Sequence, residues 1–287
     1  MTVTKRKDDV FGDGIAFVEK WDFSTANMNE ENRIKAITQV ASICYDNPNI
    51  VGKESLYNRL KAESIGLPSS SFEFVPVLLN EDKMFDILTA FMNKSTSLDT
   101  DLDSPNILKY GELIHDDGVK YLLTNYRAIL YDYEEVKDYT EADFTQFFNT
   151  KKECDIIAKH NRTYLYKMDM ATSKQHIRHR VNHQELSRRY VSGKKTPFDF
   201  YVSQDIKESS KYDAVEEHID NSLRLYQELL NECVQPQSAR RVIPQSAYTT
   251  IWSSFLPKQW DNYIALRTDK HAQWEIRQLA NAMEDME

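Results

Sequence analysis

Residues 175–190 hold the densest group of potentially reactive side chains in the chain. The segment reads Gln-His-Ile-Arg-His-Arg-Val-Asn-His-Gln-Glu-Leu-Ser-Arg-Arg-Tyr, with four arginines, three histidines, one glutamate and one serine. A packed core could not satisfy so many hydrogen-bond donors. Guanidinium groups remain charged, and their planar forks match phosphate oxygens two at a time. The segment therefore indicates a site for a phosphorylated ligand with a polar ring.

A short helix would position part of this segment. Thr172 or Ser173 is suited to cap it, and Gln175, Arg178 and His179 would then share one face at i, i+3 and i+4. The alternative interpretation is a solvated basic turn on an acidic protein. A charge run considered alone favours that alternative.

Hydrophobic periodicity predicts the elements around the segment. Strands are predicted at residues 15–21 and 163–170, and helices at 29–43, 56–65, 215–230 and 260–266. The strand at 163–170 would lead directly into the arginine-rich segment. A last helix, capped by Thr268 or Asp269 and running to Met283, would place Arg267 and His271 on one face if it included both.

Composition excludes several classes of protein. The chain has 287 residues, of which 41% are hydrophobic, enough for one large domain or two small ones. Its formal net charge of -9 argues against general nucleic-acid binding, which needs a broad basic face. Neither a charged-then-apolar leader nor an apolar run of about 18 residues is evident. We therefore expect a cytoplasmic protein with no nucleic-acid or membrane partner.

The cysteines indicate a reducing environment. Cys44, Cys154 and Cys233 are odd in number, widely spaced and without the spacing of a metal site. We expect no structural disulfide and no metal ion.

Three blocks of sequence resemble the flavin-dependent thymidylate synthases, also called thymidylate synthase-complementing proteins. The first is Arg-His-Arg at 178–180 with Glu-x-Ser-x-Arg-Tyr at 185–190, which is similar to the family signature. The second is Leu-Arg-Thr-Asp-Lys-His-Ala-Gln-Trp-Glu-Ile-Arg-Gln at 266–278, which resembles the family's C-terminal run. Between them, Ala-Arg-Arg-Val-Ile-Pro at 239–244 and Tyr-Thr at 248–249 resemble a further segment. The order of the three blocks also agrees with the family.

The resemblance implies an α+β fold in which an antiparallel or mixed β-sheet packs against helices, as a single domain over residues 1–287. It also implies an FAD enzyme, a methyltransferase that converts dUMP to dTMP. Methylenetetrahydrofolate would be the carbon donor and NADPH the reductant. Family members are homotetramers whose active sites draw on several subunits, so the same assembly is expected here.

The resemblance also implies a dUMP site formed by Gln175, Glu185, Ser187, Arg189, Arg240 and Arg267. Arg189 and Arg240 suit the phosphate, although the alternative for Arg240 is a helix-surface salt bridge. Arg267 suits the uracil carbonyls, where a fixed cation would stabilise negative charge developing on the ring. No paired general base for Ser187 is evident from spacing, so its hydroxyl is expected to donate a hydrogen bond. Arg267 and Ser187 are the expected catalytic residues.

The flavin site implied by the resemblance consists of Ser70, Glu73, Arg178, His179, Arg180, Asn262 and His271. Ser70 and Glu73 match a Gly-His-x-Ser-Pro-Phe-Glu-His segment of the family, and their alternative is an ordinary serine-rich turn. Pro68 and Phe74 replace the two histidines of that segment, which leaves the folate-binding residues unassigned. Cys44 stands where the family has a serine after its first helix.

Two further departures bear on the product. The spacer between Arg180 and Ser187 is one residue shorter than in the family, so the loop should close differently over its ligand. Gln237 replaces an acid three residues before Arg240, which removes one orienting charge. A related flavin-dependent one-carbon transferase with another product, such as hydroxymethyl-dUMP, therefore remains an alternative. A nucleotide-binding homologue without catalysis is a more distant one.

Residues 75–156, here called the 75–156 segment, have no counterpart in compact family members and are expected to be an inserted α/β segment. Apolar spacing predicts a helix around residues 85–92, followed by a polar loop at 95–106. Asp-Gly at 117–118 predicts a hairpin turn between strands at 107–114 and 119–124, and Asn125 is suited to cap the next helix. The frequent aromatic residues favour packing over stacking on a ligand.

Overall fold

The computed structural model describes residues 1–61, 68–95, 104–133 and 141–287. Its strands are β1 (Thr2–Asp8), β2 (Phe17–Asp22), β3 (Pro76–Leu79), β4 (Glu112–Asp116), β5 (Val119–Asn125), β6 (Arg162–Asp169), β7 (Asn182–Glu185) and β8 (Tyr248–Phe255). The first six helices are α1 (Glu30–Tyr45), α2 (Glu54–Lys61), α3 (Glu81–Ser95), α4 (Asn106–Lys109), α5 (Tyr126–Tyr133) and α6 (Lys151–His160). The last six are α7 (Met170–His176), α8 (Gln204–Lys207), α9 (Tyr212–Asn231), α10 (Pro236–Ala239), α11 (Pro257–Arg267) and α12 (Trp274–Glu284). These elements form the expected α+β fold.

Several elements predicted from periodicity are confirmed. The strands predicted at 15–21 and 163–170 correspond to β2 and β6, and the helix at 215–230 lies within α9. Asn29 caps α1 by accepting a hydrogen bond from the Asn32 N–H at 2.8 Å. The helix predicted at 56–65 is confirmed as far as Lys61, and its end at Ile65 lies outside the described residues.

A five-stranded antiparallel sheet, in the order β1-β2-β6-β8-β7, forms the centre of the fold. One face of β6 carries Tyr164, Tyr166 and Met168, all fully buried. These side chains belong to a core that includes Trp260 of α11 and Leu279 of α12. Apolar side chains alternating along β6 thus fix which face of the sheet the two C-terminal helices cover.

A second antiparallel sheet, in the order β3-β5-β4, lies within the 75–156 segment. The predicted Asp-Gly turn is confirmed, since Asp117 and Gly118 have φ values of 48° and 77°. Asn125 caps α5 through its Oδ1, which accepts the Ala128 N–H at 3.0 Å. The loop predicted at 95–106 falls mostly outside the described residues.

The prediction of a strand beginning at residue 107 was wrong, because residues 106–109 form α4. The Asp132 carboxylate accepts the backbone N–H groups of Asn106 and Ile107 at 2.8 and 2.7 Å. This distant carboxylate satisfies the first amides of a helical turn, and no local sequence pattern reports it. The strand β4 therefore begins only at Glu112.

The 75–156 segment shares a hydrophobic core with the rest of the chain. Val77 and Ile129 of the segment belong to the same buried cluster as Ile37 of α1 and Trp252 of β8. Arg33 of α1 is only 1% exposed, and its guanidinium lies 3.6 Å from the ring centroid of Phe148. The shared cluster and this cation–π contact together pack α1 and the 75–156 segment as one unit.

None of the helices in the described part of the chain combines the length and apolar character needed to cross a bilayer.

Candidate active site

The arginine-rich segment leaves its helix earlier than predicted. Asp169, the last residue of β6, caps α7 by accepting from the Thr172 N–H at 3.1 Å and hydroxyl at 2.6 Å. Thr172 thus lies inside the helix, and the predicted caps at Thr172 or Ser173 were wrong. The helix α7 ends at His176, so the predicted shared face with Arg178 and His179 does not form.

Arg267, at the end of α11, connects the arginine-rich segment 175–190 to the C-terminal motif. Its Nε donates to Nε2 of His179 at 2.7 Å, and one terminal nitrogen donates to the Gln175 carbonyl at 2.9 Å. The Gln175 amide in turn donates to the side chain of Gln273. Three of the predicted site residues, Gln175, His179 and Arg267, therefore lie together.

A chain of hydrogen bonds holds the backbone carbonyl of His179. His183 Nε2 lies 3.2 Å from the His179 carbonyl, and His183 Nδ1 lies 2.8 Å from Ser253 Oγ. The same hydroxyl is 2.8 Å from His176 Nε2, and His176 Nδ1 is 2.9 Å from the Tyr263 hydroxyl. A carbonyl can only accept, so His183 donates through Nε2 and receives the Ser253 proton at Nδ1. The remaining directions follow, with His176 donating to Ser253 and Tyr263 donating to His176.

These three histidines are held neutral. Burial, with a further contribution from the Arg267 charge, lowers the pKa of His179 to about 4. Burial also lowers the pKa of His183 to about 4 and that of the fully buried His176 well below its ordinary value. Neutral imidazoles have one donor and one acceptor nitrogen, which is what the directed chain of hydrogen bonds requires.

His271 and Asn262 do not join this cluster. The predicted last helix reaching Met283 is present as α12, but its predicted caps at Thr268 or Asp269 were wrong, because α11 ends at Arg267 and α12 starts at Trp274. The Asp269 carboxylate instead accepts from the His271 N–H and ring, each at 2.8 Å, and forms a turn. Both predicted flavin residues are exposed, and within the described chain neither contacts another predicted site residue.

Glu185 and Arg240 face a separate cavity of about 290 Å³. The Glu185 carboxylate accepts from the Thr249 hydroxyl at 2.9 Å, which fixes its orientation on β7. Lys174 and Arg188 also line the cavity, and burial lowers the pKa of Arg188. A guanidinium loses solvation when buried, so an anion entering this cavity would restore favourable interactions.

Ser187 and Arg189 lie in the turn that follows β7. The Ser187 carbonyl accepts the backbone N–H groups of Tyr190 and Val191 at 3.1 and 3.0 Å. Arg189 is exposed, and its guanidinium lies 5.5 Å from the Tyr190 ring centroid. Neither residue lines the cavity that contains Glu185 and Arg240.

Ser70 meets β7 through Gln184, a residue that the sequence motifs do not single out. The Ser70 hydroxyl donates to Gln184 Oε1 at 2.7 Å, and Gln184 Nε2 donates to Cys44 Sγ at 2.6 Å. Cys44 thus occupies a position in the site, as its alignment with a family serine suggests. Neither Cys44 nor the other two cysteines forms a disulfide.

Glu73 pairs with Arg127 of the 75–156 segment. Arg127 also donates through Nε to the Pro68 carbonyl at 2.8 Å, and Phe74 is fully buried. Both positions that carry histidines in the family are therefore occupied by packing residues. Arg127 had no family motif around it, so only the three-dimensional contact identifies it.

Neutral histidines next to Arg267, and exposed cations along the same loop, thus lie together on an α+β scaffold. The sequence model of thymidylate synthase complementing protein matches residues 123–286, which is more than half of the chain. The chain therefore belongs to this family. The match starts inside the 75–156 segment and includes all three motif blocks.

Relatives with curated names agree with this assignment. The flavin-dependent thymidylate synthase of Thermosipho africanus is 31% identical over 137 residues, covering 41% of this chain and 59% of the relative. That of Thermotoga neapolitana is 31% identical over 129 residues, covering 42% and 58%. A probable flavin-dependent thymidylate synthase of Paramecium bursaria Chlorella virus 1 is 29% identical over 167 residues, covering 53% and 77%. The chain thus spans somewhat more than half of the length of the two bacterial relatives.

Proposed function

We propose that this protein is a flavin-dependent thymidylate synthase that converts dUMP to dTMP in the cytoplasm. Methylenetetrahydrofolate would be the carbon donor and NADPH the reductant, with FAD as cofactor. The observation that carries the proposal is the contact between Arg267 and His179. It brings together, at 2.7 Å, the two sequence motifs in which the chain matches the family best.

The cavity at Glu185 and Arg240 is the proposed place for part of the nucleotide. Arg240 would pair with the phosphate, and Glu185, already oriented by Thr249, would accept a hydrogen bond from the ligand. Arg189 is the second proposed phosphate ligand, and the Ser187 hydroxyl a hydrogen-bond donor to the nucleotide.

Arg267 is the proposed catalytic group, with Gln175 beside it. A guanidinium held by His179 and the Gln175 carbonyl needs little reorganisation when negative charge develops on a uracil oxygen. His179 would remain neutral and so would not compete with the substrate for that cation. The enzyme's contribution is thus orientation and charge stabilisation, without a cysteine nucleophile.

The exposed arginines fit a flavin nucleotide. Within the described part of the chain, no carboxylate pairs with Arg178 or Arg180, which leaves both guanidinium groups available for pyrophosphate oxygens. Ser70, Glu73 and His179 would complete that side of the site, and Asn262 and His271 would approach the flavin of a neighbouring subunit. Bound FAD would supply the transfer of reducing equivalents from NADPH.

A homotetramer with shared active sites is part of the proposal. Gln175 and Arg267 do not line the cavity that Glu185 and Arg240 line, and the His271 side chain is 80% exposed. Residues from different subunits would complete one site. We further propose that residues 1–287 form a single domain with an insertion at about 75–156, because the segment shares a core with α1.

The nucleotide product tests this proposal. Purified protein, FAD, NADPH and methylenetetrahydrofolate are incubated with dUMP, and the mass of the nucleotide is measured. A methylated product supports a thymidylate synthase. A hydroxymethylated product is the second candidate, favoured by the packing residues Pro68 and Phe74 at both family histidine positions. Unchanged dUMP would contradict both.

A further inference from the structure

A cavity of about 790 Å³ lies between the 75–156 segment and the five-stranded sheet. Tyr110 and Leu113 of the segment line one side, and Arg180 and Lys258 line the other. Glu73 and Asn125 also line it, and both lie on a neighbouring cavity of about 330 Å³ that includes Arg127. The two cavities form one cleft. Its walls come from the 75–156 segment and from the rest of the chain.

The charges around this cleft favour an anion. Within the described chain, no carboxylate pairs with the side chains of Lys109, Arg180 or Lys258, all of which are exposed. Glu73 is paired with Arg127, so its charge is compensated. Glu112 remains as an acid of the cleft, where its carboxylate accepts the Lys258 backbone N–H at 3.0 Å. Among the residues that the structure describes, three cations face one uncompensated acid, which favours a positive potential in this partly enclosed space.

The wall formed by the segment offers apolar and aromatic surface. Leu108, Tyr110 and Leu113 are 44%, 49% and 46% exposed, although large apolar side chains gain by burial. Clustered exposed apolar side chains in a concave site typically mark a ligand-binding surface. Lys109 Nζ lies 5.5 Å from the centroid of the Tyr110 ring on one face, and the opposite face is suited to stack on a planar ring.

The backbone holds Tyr110 in place. Its N–H donates to the Asn106 carbonyl at 2.8 Å, and Asn106 is itself held by Asp132. The next residue must be Gly111, because a Cβ there would lie 2.3 Å from the Ile107 carbonyl oxygen. The aromatic ring is therefore presented by a fixed turn, which lowers the entropy cost of binding.

We propose that this cleft binds a planar aromatic ligand with negative charge, and that Tyr110 and Lys109 of the 75–156 segment contact it. The inference rests on the proposed function, and among the planar anionic ligands of that reaction it concerns the flavin nucleotide with its pyrophosphate and the folate with its glutamate. Tyr110 would stack on the ring, and Lys109 and Lys258 would pair with the anionic groups. The segment would then form part of the active site and take over ligand binding from the two positions where Pro68 and Phe74 replace histidine.

Equilibrium binding of two probes to the full-length protein tests the inference. FAD is titrated by its fluorescence and folinic acid, a stable folate, by calorimetry in the presence of FAD. The variants are Tyr110→Ala and Lys109→Ala. Matched controls from the same segment are Phe85→Ala, which removes a 70% exposed aromatic side chain away from the cleft, and Lys120→Ala on β5. Loss of ring stacking should weaken binding by about tenfold, and the controls should bind as the wild type does.

The outcomes separate the two ligands. Weaker FAD binding by both variants assigns the cleft to the flavin nucleotide, and weaker folinic acid binding with normal FAD binding assigns it to the folate. Unchanged binding of both probes would overturn the inference, as would a wild-type protein that binds neither. The dTMP assay is independent. If the wild type forms dTMP but Tyr110→Ala and Lys109→Ala bind both probes as tightly as it does, only the inference is refuted. If the two variants bind a probe more weakly but the wild type forms no dTMP, only the proposed function is refuted.

Discussion

Arg267 donates a hydrogen bond to the ring of His179 across 88 positions of sequence, with 2.7 Å between the two nitrogens. The accepting Nε2 must have a free lone pair, so His179 is neutral and its proton lies on Nδ1. His183 fixes the backbone of the same residue from the opposite side through the His179 carbonyl. The geometry therefore orients the guanidinium, and no carboxylate in the described part of the chain pairs with it.

Replacement of Arg267 by alanine removes the cation that we expect beside the uracil ring. The kcat/KM for dUMP should fall by about 10²–10³-fold, as when one donor is removed from an oxyanion site, and dUMP should bind more weakly. FAD should remain bound, as measured by the flavin absorbance of the purified variant. Arg224→Ala, which removes a largely exposed arginine of α9, is the control. Wild-type kinetics in Arg267→Ala would refute its catalytic role.

The three neutral histidines should make the protein sensitive to acid. Their pKa values are lowered in the folded state, to about 4 for His179 and His183, whereas the pKa of an unfolded histidine is about 6.5. The unfolded state therefore binds more protons as the pH falls. Stability that is present at neutral pH should decrease between about pH 6.5 and 4. Each histidine contributes at most about 1.4 kcal/mol per pH unit in this window.

Urea unfolding at a series of pH values measures this effect. The variant His183→Gln keeps a polar side chain but cannot take up a proton, so the free energy of unfolding should depend less steeply on pH. His218→Gln, which replaces an exposed histidine of α9, should leave the slope unchanged. Parallel curves for wild type and His183→Gln would show that His183 is not linked to unfolding.

The sequence predicted the fold class and the main elements, because β6, α1 and α9 have strong apolar periodicity. It also selected Arg267, His179 and the other motif residues. It could not predict the early end of α7 or the turn after Arg267. The starts of α7 and α12 depend on which of several nearby polar residues precedes the helix, and Asp169 and Gln273 take that position instead of the predicted candidates.

Contacts between distant parts of the chain left no local pattern. Arg127 reaches Glu73, Asp132 caps α4, and Ser253 links two histidines, yet Arg127, Asp132 and Ser253 themselves lie in none of the quoted motifs. The segment that supplies Arg127 and Asp132 was expected to be an insertion whose aromatic residues pack. Several of them do pack, as Tyr126 and Phe148 illustrate.

Cys44 should tolerate serine better than alanine. Gln184 donates its amide hydrogen to the Cys44 sulfur, and a serine hydroxyl is a stronger acceptor in the same place. Cys44→Ala leaves that amide without its partner at a cost of about 1 kcal/mol. Because Gln184 also holds Ser70, a proposed flavin residue, FAD should bind up to about five times more weakly. Cys44→Ser should bind at least as tightly as wild type.

Fluorescence titration with FAD measures these affinities. Cys233→Ala removes an exposed thiol after α9 and is the control for loss of a cysteine. Equal FAD affinity in Cys44→Ala and Cys44→Ser would show that Gln184 is positioned without the Cys44 contact.

Arg33 should be more important for stability than an exposed arginine with a similar aromatic contact. Its guanidinium is buried 3.6 Å from the Phe148 ring centroid, whereas that of the exposed Arg59 is 5.4 Å from the Tyr45 ring centroid. Arg33→Ala should lower the free energy of unfolding by about 2 kcal/mol or more, and Arg59→Ala by less than about 1 kcal/mol. Chemical denaturation compares the two variants. A loss in Arg59→Ala as large as that in Arg33→Ala would contradict the role of the buried cation.

The mass of the nucleotide formed from dUMP decides whether the protein is a flavin-dependent thymidylate synthase. The reaction contains purified protein, FAD, NADPH and methylenetetrahydrofolate, and parallel reactions omit FAD or contain Arg267→Ala. We expect a product that is heavier than dUMP by one CH₂ group and that forms only with FAD. Arg267→Ala should form much less of it. Unchanged dUMP in the complete reaction would contradict it.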